Sequence, residues 1–219
     1  MMYYATYDLV YSDKIPYIVT FGFHSTPVWR QHLWDTGEFQ EFIRKNGCGH
    51  CCTAMALRLN GVYNIDPHAE FTTCRQLWGE PQKNREFPQD NLQSVSGITK
   101  ILQHYGVKAE YFGVHDLVKA EKHFAKVLKA GKQIIFWSHP TEDFPDNPFS
   151  PHEHYVMAVG YTPEGKILVA NSSRWAAKAV QIVDMQTIMR ALYLGADPID
   201  MTWGERDHYT NCAGYVVVG

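Results

Sequence analysis

Hydrophobic and polar positions change rhythm along this chain, and the changes mark its elements. From Gly49 to Leu59 small and apolar residues run without a breaker until "NGVY" supplies a turn, which predicts a helix entered through Asn46-Gly47. "SVSGITKILQHYGVKAEYFG" predicts a helix opened by a Ser94 cap and closed by Gly106, then a strand. "HDLVKAEKHFAKVLKAGKQIIFWSH" repeats that logic, with a helix ending at Gly131 and the strand "QIIFWS". Two Pro-containing loops, residues 78–93 and 139–153, punctuate the series. Beyond the second loop the texture turns to short β-rich runs, "HYVMAVGY", "KILVAN" and "KAVQIV", which suggest an antiparallel meander. "DMQTIMRALYLG" reads as another helix and "AGYVVVG" as a last strand. Residues 1–45 mix short apolar alternations such as "YIVTFGF" with Trp-rich polar sequence, and no element is assigned there. A helical first half and a mostly β second half make an α+β chain rather than a βαβ alternation.

Length changes this picture little. The 219 residues carry no repeat, low-complexity tract or linker, so one domain over 1–219 is expected, large enough to bury a core without disulfide or metal support. The aromatic residues, 14% of the chain, are expected mainly in that core. A net charge of -3 gives no reason to expect nucleic acid or an anionic membrane as partner. No stretch approaches the ~20 apolar residues of a membrane span, and the N-terminus lacks the pattern of a secretory signal. Five cysteines, three of them crowded, do not form a spaced disulfide framework, which favours a reducing, cytoplasmic setting.

The crowded three sit in "NGCGHCC". Cys48 and Cys51 have the spacing of a redox pair, but such a pair sits where a strand runs into the motif, and the approach here is the polar, helix-like "TGEFQEFIRKNG". Zinc needs about four ligands in spaced pairs. Cys48, Cys51 and Cys52 are too close together, Cys74 and Cys212 form no pair, and His152 with His154 stands alone. Cys51 and Cys52 suit packing, whereas a thiol between two glycines at a helix entrance meets the positive end of the helix dipole. A thiolate nucleophile needs a base, and the base needs a third group to orient it. Among eleven histidines placement decides. His154 heads the strand "HYVMAVGY", and pairing across the turn at Pro163–Gly165 brings Asn171 back beside it. His152 is a rival base on the same strand face, while His139 and His208 lack such support.

"CGHCCTAMAL" resembles the Cys-Gly-Pro-x-x-x-Ala-Met opening of the bacterial double-glycine-leader (bacteriocin-processing) cysteine peptidases and their stand-alone relatives, a papain-fold group. "EHYVMAVGYTPEGKILVANSS" is similar to that family's His-Tyr-Val-x-x-x-Gly-Tyr hairpin, and "VLKAGKQIIFWSH" to the segment just upstream. The resemblance covers roughly residues 40–195. It implies a papain-like fold, with a helical N-terminal half packed on a C-terminal antiparallel sheet. It also implies hydrolysis of a peptide or isopeptide bond in a peptide or protein substrate. Carried over, Cys48 is the nucleophile, His154 the base and Asn171 the orienting residue. Gln40, with Gln31 as runner-up, would join the Cys48 N–H in holding the oxyanion. No metal or cofactor is called for, and the oligomeric state is left open. His50 replaces the family's proline, and Cys51 and Cys52 are additions to its pattern. A thiol–disulfide oxidoreductase using Cys48 and Cys51, and a binding module without turnover, are the alternatives. No leader-exporting transporter domain is expected.

Overall fold

The structure is a computed structural model, and it describes residues 4–10, 17–30, 47–79, 94–142, 144–173, 175–176, 178–192 and 214–219. Three short strands come first: β1 (Ala5–Leu9), β2 (Tyr17–Phe21) and β3 (His24–Pro27), paired antiparallel in that order. Helix α1 (Cys48–Leu59) follows, then α2 (Pro67–Trp78), α3 (Val95–His104), β4 (Ala109–Phe112), α4 (Leu117–Lys129) and β5 (Gln133–Ser138). The chain continues through β6 (His154–Tyr161), β7 (Ile167–Ala170), β8 (Val180–Val183), α5 (Met185–Ala191) and β9 (Tyr215–Val218).

The main sheet has six strands in the order β4-β9-β5-β6-β7-β8, and every neighbour is antiparallel. β5 and β6 lie inside it and are buried along almost their whole length, which is why "QIIFWS" reads as an unbroken apolar run. Alternate residues divide the core in two. Ile135, Trp137, Tyr155 and Met157 face α1, α3 and the small N-terminal sheet. Ile134, Phe136, Val156 and Ala158 face Phe124 of α4 and Ile188 of α5. The sheet is therefore a middle layer, and α1 is pressed onto one of its faces. Eleven of the twelve residues of α1 are buried, a density that its run of Gly, Ala, Cys and Thr permits because small side chains let a helix approach a sheet closely.

Local signals operate as the sequence suggests. Ser94 Oγ accepts the Gly97 N–H at the start of α3, and the chain turns out of α3 and α4 at Gly106 and Gly131, both with positive φ. Two features lie outside the sequence reading. The N-terminal strands occupy part of the segment where no element was assigned, and α2 is an additional helix, entered by Asp66, whose side chain accepts the Ala69 N–H, with Pro67 at its first position. β9 closes the sheet by entering between β4 and β5, so the last residues of the chain pair with residues near 109 and 133. The α+β class expected from the sequence holds. Among the described residues no helix is long and apolar enough to cross a membrane.

Candidate active site

Cys48 occupies the first position of α1. The preceding Gly47 offers no side-chain cap, and the first turn holds no acidic residue, so the amide N–H groups there are left to other acceptors. The residue is 7% exposed. Burial pushes its pKa up, while backbone groups of Tyr155, Gly49 and Cys48 itself pull it back by stabilising the anion. That contact with Tyr155 brings the helix start against the head of β6, where His154 is the adjacent residue.

His154 is 5% exposed. Its Nε2 lies 3.1 Å from Asn171 Oδ1, and Ser172 Oγ stands 3.4 Å from the same nitrogen. An amide oxygen only accepts, so Nε2 carries the proton and Nδ1 is the basic nitrogen of the neutral ring. Burial lowers the pKa of His154 to about 4; the Asn171 bond opposes that shift, and the charge of Arg30 adds to it. Asn171 is fixed in turn. Its Nδ2 donates to Phe149 O at 2.8 Å and to Gln181 Oε1 at 3.0 Å, and its Oδ1 also accepts the Ser173 N–H at 2.8 Å. Gln181, on β8, is anchored by its own donation to Pro148 O. The amide therefore has one permitted orientation, with its oxygen toward the imidazole.

The β6–β7 pairing carries an irregularity between Ala158 and Gly160. Beyond it Met157 stands opposite Ala170, so Asn171 comes level with Val156. Val156 and His154 are two apart on one strand and share a side of the sheet, which lets Asn171 reach diagonally to the imidazole.

The other expected residues divide clearly. Cys51 and Cys52 are fully buried, with thiols pushed well above their ordinary values by burial, and Cys52 Sγ donates to Tyr155 O at 3.4 Å. They pack α1 on the sheet. His152 is exposed and sets its ring edge-on to Trp175, and His139 Nδ1 lies 3.6 Å from Glu153 Oε1. Gln40, Gln31, Cys212 and His208 lie outside the described residues.

His50 points inward. Its Nδ1 lies 2.5 Å from Glu70 Oε2 on α2, and Cys74 Sγ donates to Glu70 Oε1 at 3.3 Å. All three are buried, and their ligand atoms lie within 4.8 Å of one another, so among the described residues they are the group that could hold a metal. As they stand, each carboxylate oxygen already has a partner, and the trio braces α1 against α2. Glu70, Gln181 and Arg30 were not singled out in the sequence. An Asp66-Pro67 helix entrance ahead of a lone glutamate was the one local cue to Glu70.

No curated protein matches the chain. The sequence model of the Peptidase_C39 like family matches residues 24–196, starting at the first residue of β3 and ending just past α5. This bears out the resemblance seen in the sequence and extends its N-terminal limit. By that match the chain belongs to the Peptidase_C39 like family, papain-like in fold and, in general class, a cysteine peptidase.

Proposed function

We propose that the protein is a thiol-dependent hydrolase that cleaves a peptide or isopeptide bond through an acyl-thioester on Cys48. What carries the reading is the fixed tautomer of His154, whose Nε2–H is held by Asn171 Oδ1 at 3.1 Å while Cys48 abuts the next residue of the same strand. Nδ1 accepts the thiol proton as sulfur attacks the carbonyl carbon. The resulting oxyanion is met by the Cys48 N–H and by the Gln40 side chain, the two donors assigned from sequence. His154 then returns the proton to the leaving nitrogen, the C–N bond breaks, and the acyl group stays on sulfur. Water, deprotonated by the same nitrogen, releases the carboxylic acid and restores the thiol. No step calls on a metal or cofactor.

Burial places the resting pair as neutral thiol and neutral imidazole. The proton therefore moves during attack, and Asn171 supports the imidazolium without a full negative charge.

Labelling with an iodoacetamide or vinyl-sulfone probe, mapped by mass spectrometry, tests the assignment on Cys48→Ala, Cys51→Ala and His154→Ala. The reading expects modification at Cys48, abolished in the first variant, retained in the second and strongly slowed in the third. Labelling at Cys51 that spares Cys48 would sink it in favour of thiol–disulfide exchange. A Cys48 no faster than an ordinary thiol would leave a binding module.

A further inference from the structure

Arg30 follows β3 closely and sits where the small N-terminal sheet meets the loop after Asn171. Its Nη2 donates to Ala176 O at 3.0 Å, across 146 residues of sequence. Its Nε–H is buried and, among the described residues, has no hydrogen-bond partner. Among the described residues the ion pairs are His50–Glu70, Lys119–Asp116, His139–Glu153 and Lys166–Asp184, and none involves Arg30. Burial lowers its pKa, against a smaller opposing pull from Tyr17. Its charge in turn opposes protonation of His154, so it lies within electrostatic range of the imidazole. A partly buried guanidinium whose described partner is one neutral carbonyl is an under-compensated cation, and such a group costs stability unless something anionic reaches it.

The chemistry fixes the side on which that anion arrives. His154 must hand its proton to the leaving nitrogen, so the leaving fragment lies on the His154 side of the site, where Asn171 and Ser172 border the imidazole. Arg30 is tied to the loop that follows those two residues. We propose that Arg30 is the receptor for a carboxylate carried on the leaving-amine side of the scissile bond. The guanidinium fork matches a carboxylate in shape and charge, and a side chain already tethered at Nη2 loses little freedom when it binds. Two substrate groups present this chemistry: the α-carboxylate of a C-terminal residue released by the cleavage, and the side chain of Asp or Glu just beyond the scissile bond. The proposal rests on the hydrolase reading and adds the substrate class to it.

Iodoacetate and iodoacetamide test the charge without any known substrate, because they differ at one carboxylate and alkylate the same sulfur. The ratio of their rates at Cys48 is measured in the wild type, in Arg30→Gln and in Arg30→Lys. With a hydrogen-bonded charge pair lost, the iodoacetate-to-iodoacetamide ratio should fall about tenfold or more in Arg30→Gln and partly recover in Arg30→Lys. An unchanged ratio in a folded Arg30→Gln protein overturns the proposal. Internally quenched peptides then read the wild type alone, so the answer does not depend on a variant folding. Free acid is compared with amide where one residue follows the scissile bond, and Asp with Asn where several do. Preference for the acid identifies an α-carboxylate, and preference for Asp identifies a side chain. Cleavage with neither preference overturns the carboxylate while leaving the hydrolase intact. Failure of iodoacetamide to label Cys48 removes the hydrolase reading itself, and the proposal with it.

Discussion

Removing the Glu70 carboxylate should unseat α1 more than any exposed substitution can. His50 and Glu70 are both fully buried, their contact is 2.5 Å, and the second carboxylate oxygen takes the Cys74 thiol. Taking one member from a buried pair costs about 3–5 kcal/mol because the other is left desolvated, and the lost Cys74 bond adds about 1 kcal/mol. A kcal/mol moves the midpoint of a chain this size by about 2–4 °C. Glu70→Ala should therefore lower Tm by roughly 8–24 °C. Glu70→Gln keeps an acceptor for His50 and should cost less than half as much. Replacing both partners with apolar residues, His50→Met with Glu70→Leu, should recover much of the loss, since a well-packed apolar pair avoids the desolvation cost altogether. The assay is thermal unfolding followed by circular dichroism, with urea melts to check that the slope is unchanged. Equal losses in Glu70→Gln and Glu70→Ala, or a double variant no better than the sum of the singles, would refute the bracing argument. Stoichiometric zinc in the purified protein, removed by a chelator with the same loss of Tm, would also refute it, because His, Glu and Cys are ligands that zinc accepts.

Three further outcomes follow from the same contacts. Burial lowers the pKa of His154 to about 4 in the folded chain, against the ordinary 6.5 of a histidine, so the unfolded chain binds the extra proton between those limits. Its contribution is full above pH 6.5 and lost as pH falls through 4, about 3 kcal/mol in all; urea melts from pH 4 to 7 should show this slope flattened in His154→Gln, and an identical slope would contradict it. Gly160→Ala would set a Cβ 2.9 Å from the Phe21 ring, so about 1–3 kcal/mol of stability should be lost, and a Tm within 1 °C of wild type, by about 2–4 °C per kcal/mol, would argue against that packing. Gln181→Leu leaves the Asn171 amide short of one acceptor. It should lower kcat about tenfold with KM little changed, as expected for a positioning residue, and a pure KM effect would count against that role.

What was legible in the sequence shares a physical cause. Cys48, His154 and Asn171 sit at element boundaries, where a helix entrance, a strand head and a hairpin end are written in neighbouring residues. Arg30 meets Ala176 across 146 positions, and no local pattern encodes that contact. The missed helix α2 shows how periodicity is masked. Its buried positions are Pro67, Glu70, Phe71 and Cys74, at helical spacing, yet one is a proline and another a carboxylate, so the apolar stripe is broken. β1 hid differently: one residue of its five is buried, so no alternation betrays it.

Asn171 comes beside His154 through a register that the hairpin turn alone does not dictate. Plain pairing about the Pro163–Gly165 turn, which the Thr162–Lys166 and Tyr161–Ile167 contacts obey, would carry on to set Asn171 opposite Met157. Met157 belongs to the core beneath α1 and stands on the other side of the sheet from Val156, whose side His154 shares by strand alternation. Asn171 would then point away from the imidazole. The shift between Ala158 and Gly160 gives β6 one extra residue and slides the pairing so that Ala170, not Asn171, opposes Met157. Gly160, at that shift, is also where Phe21 of the N-terminal sheet leaves no room for a Cβ. The first strands of the chain thus press on the irregularity that decides which face Asn171 occupies. Loosening Phe21 should disturb the His154–Asn171 bond before it disturbs Cys48, because α1 keeps its own contacts with the sheet and the His50–Glu70 brace.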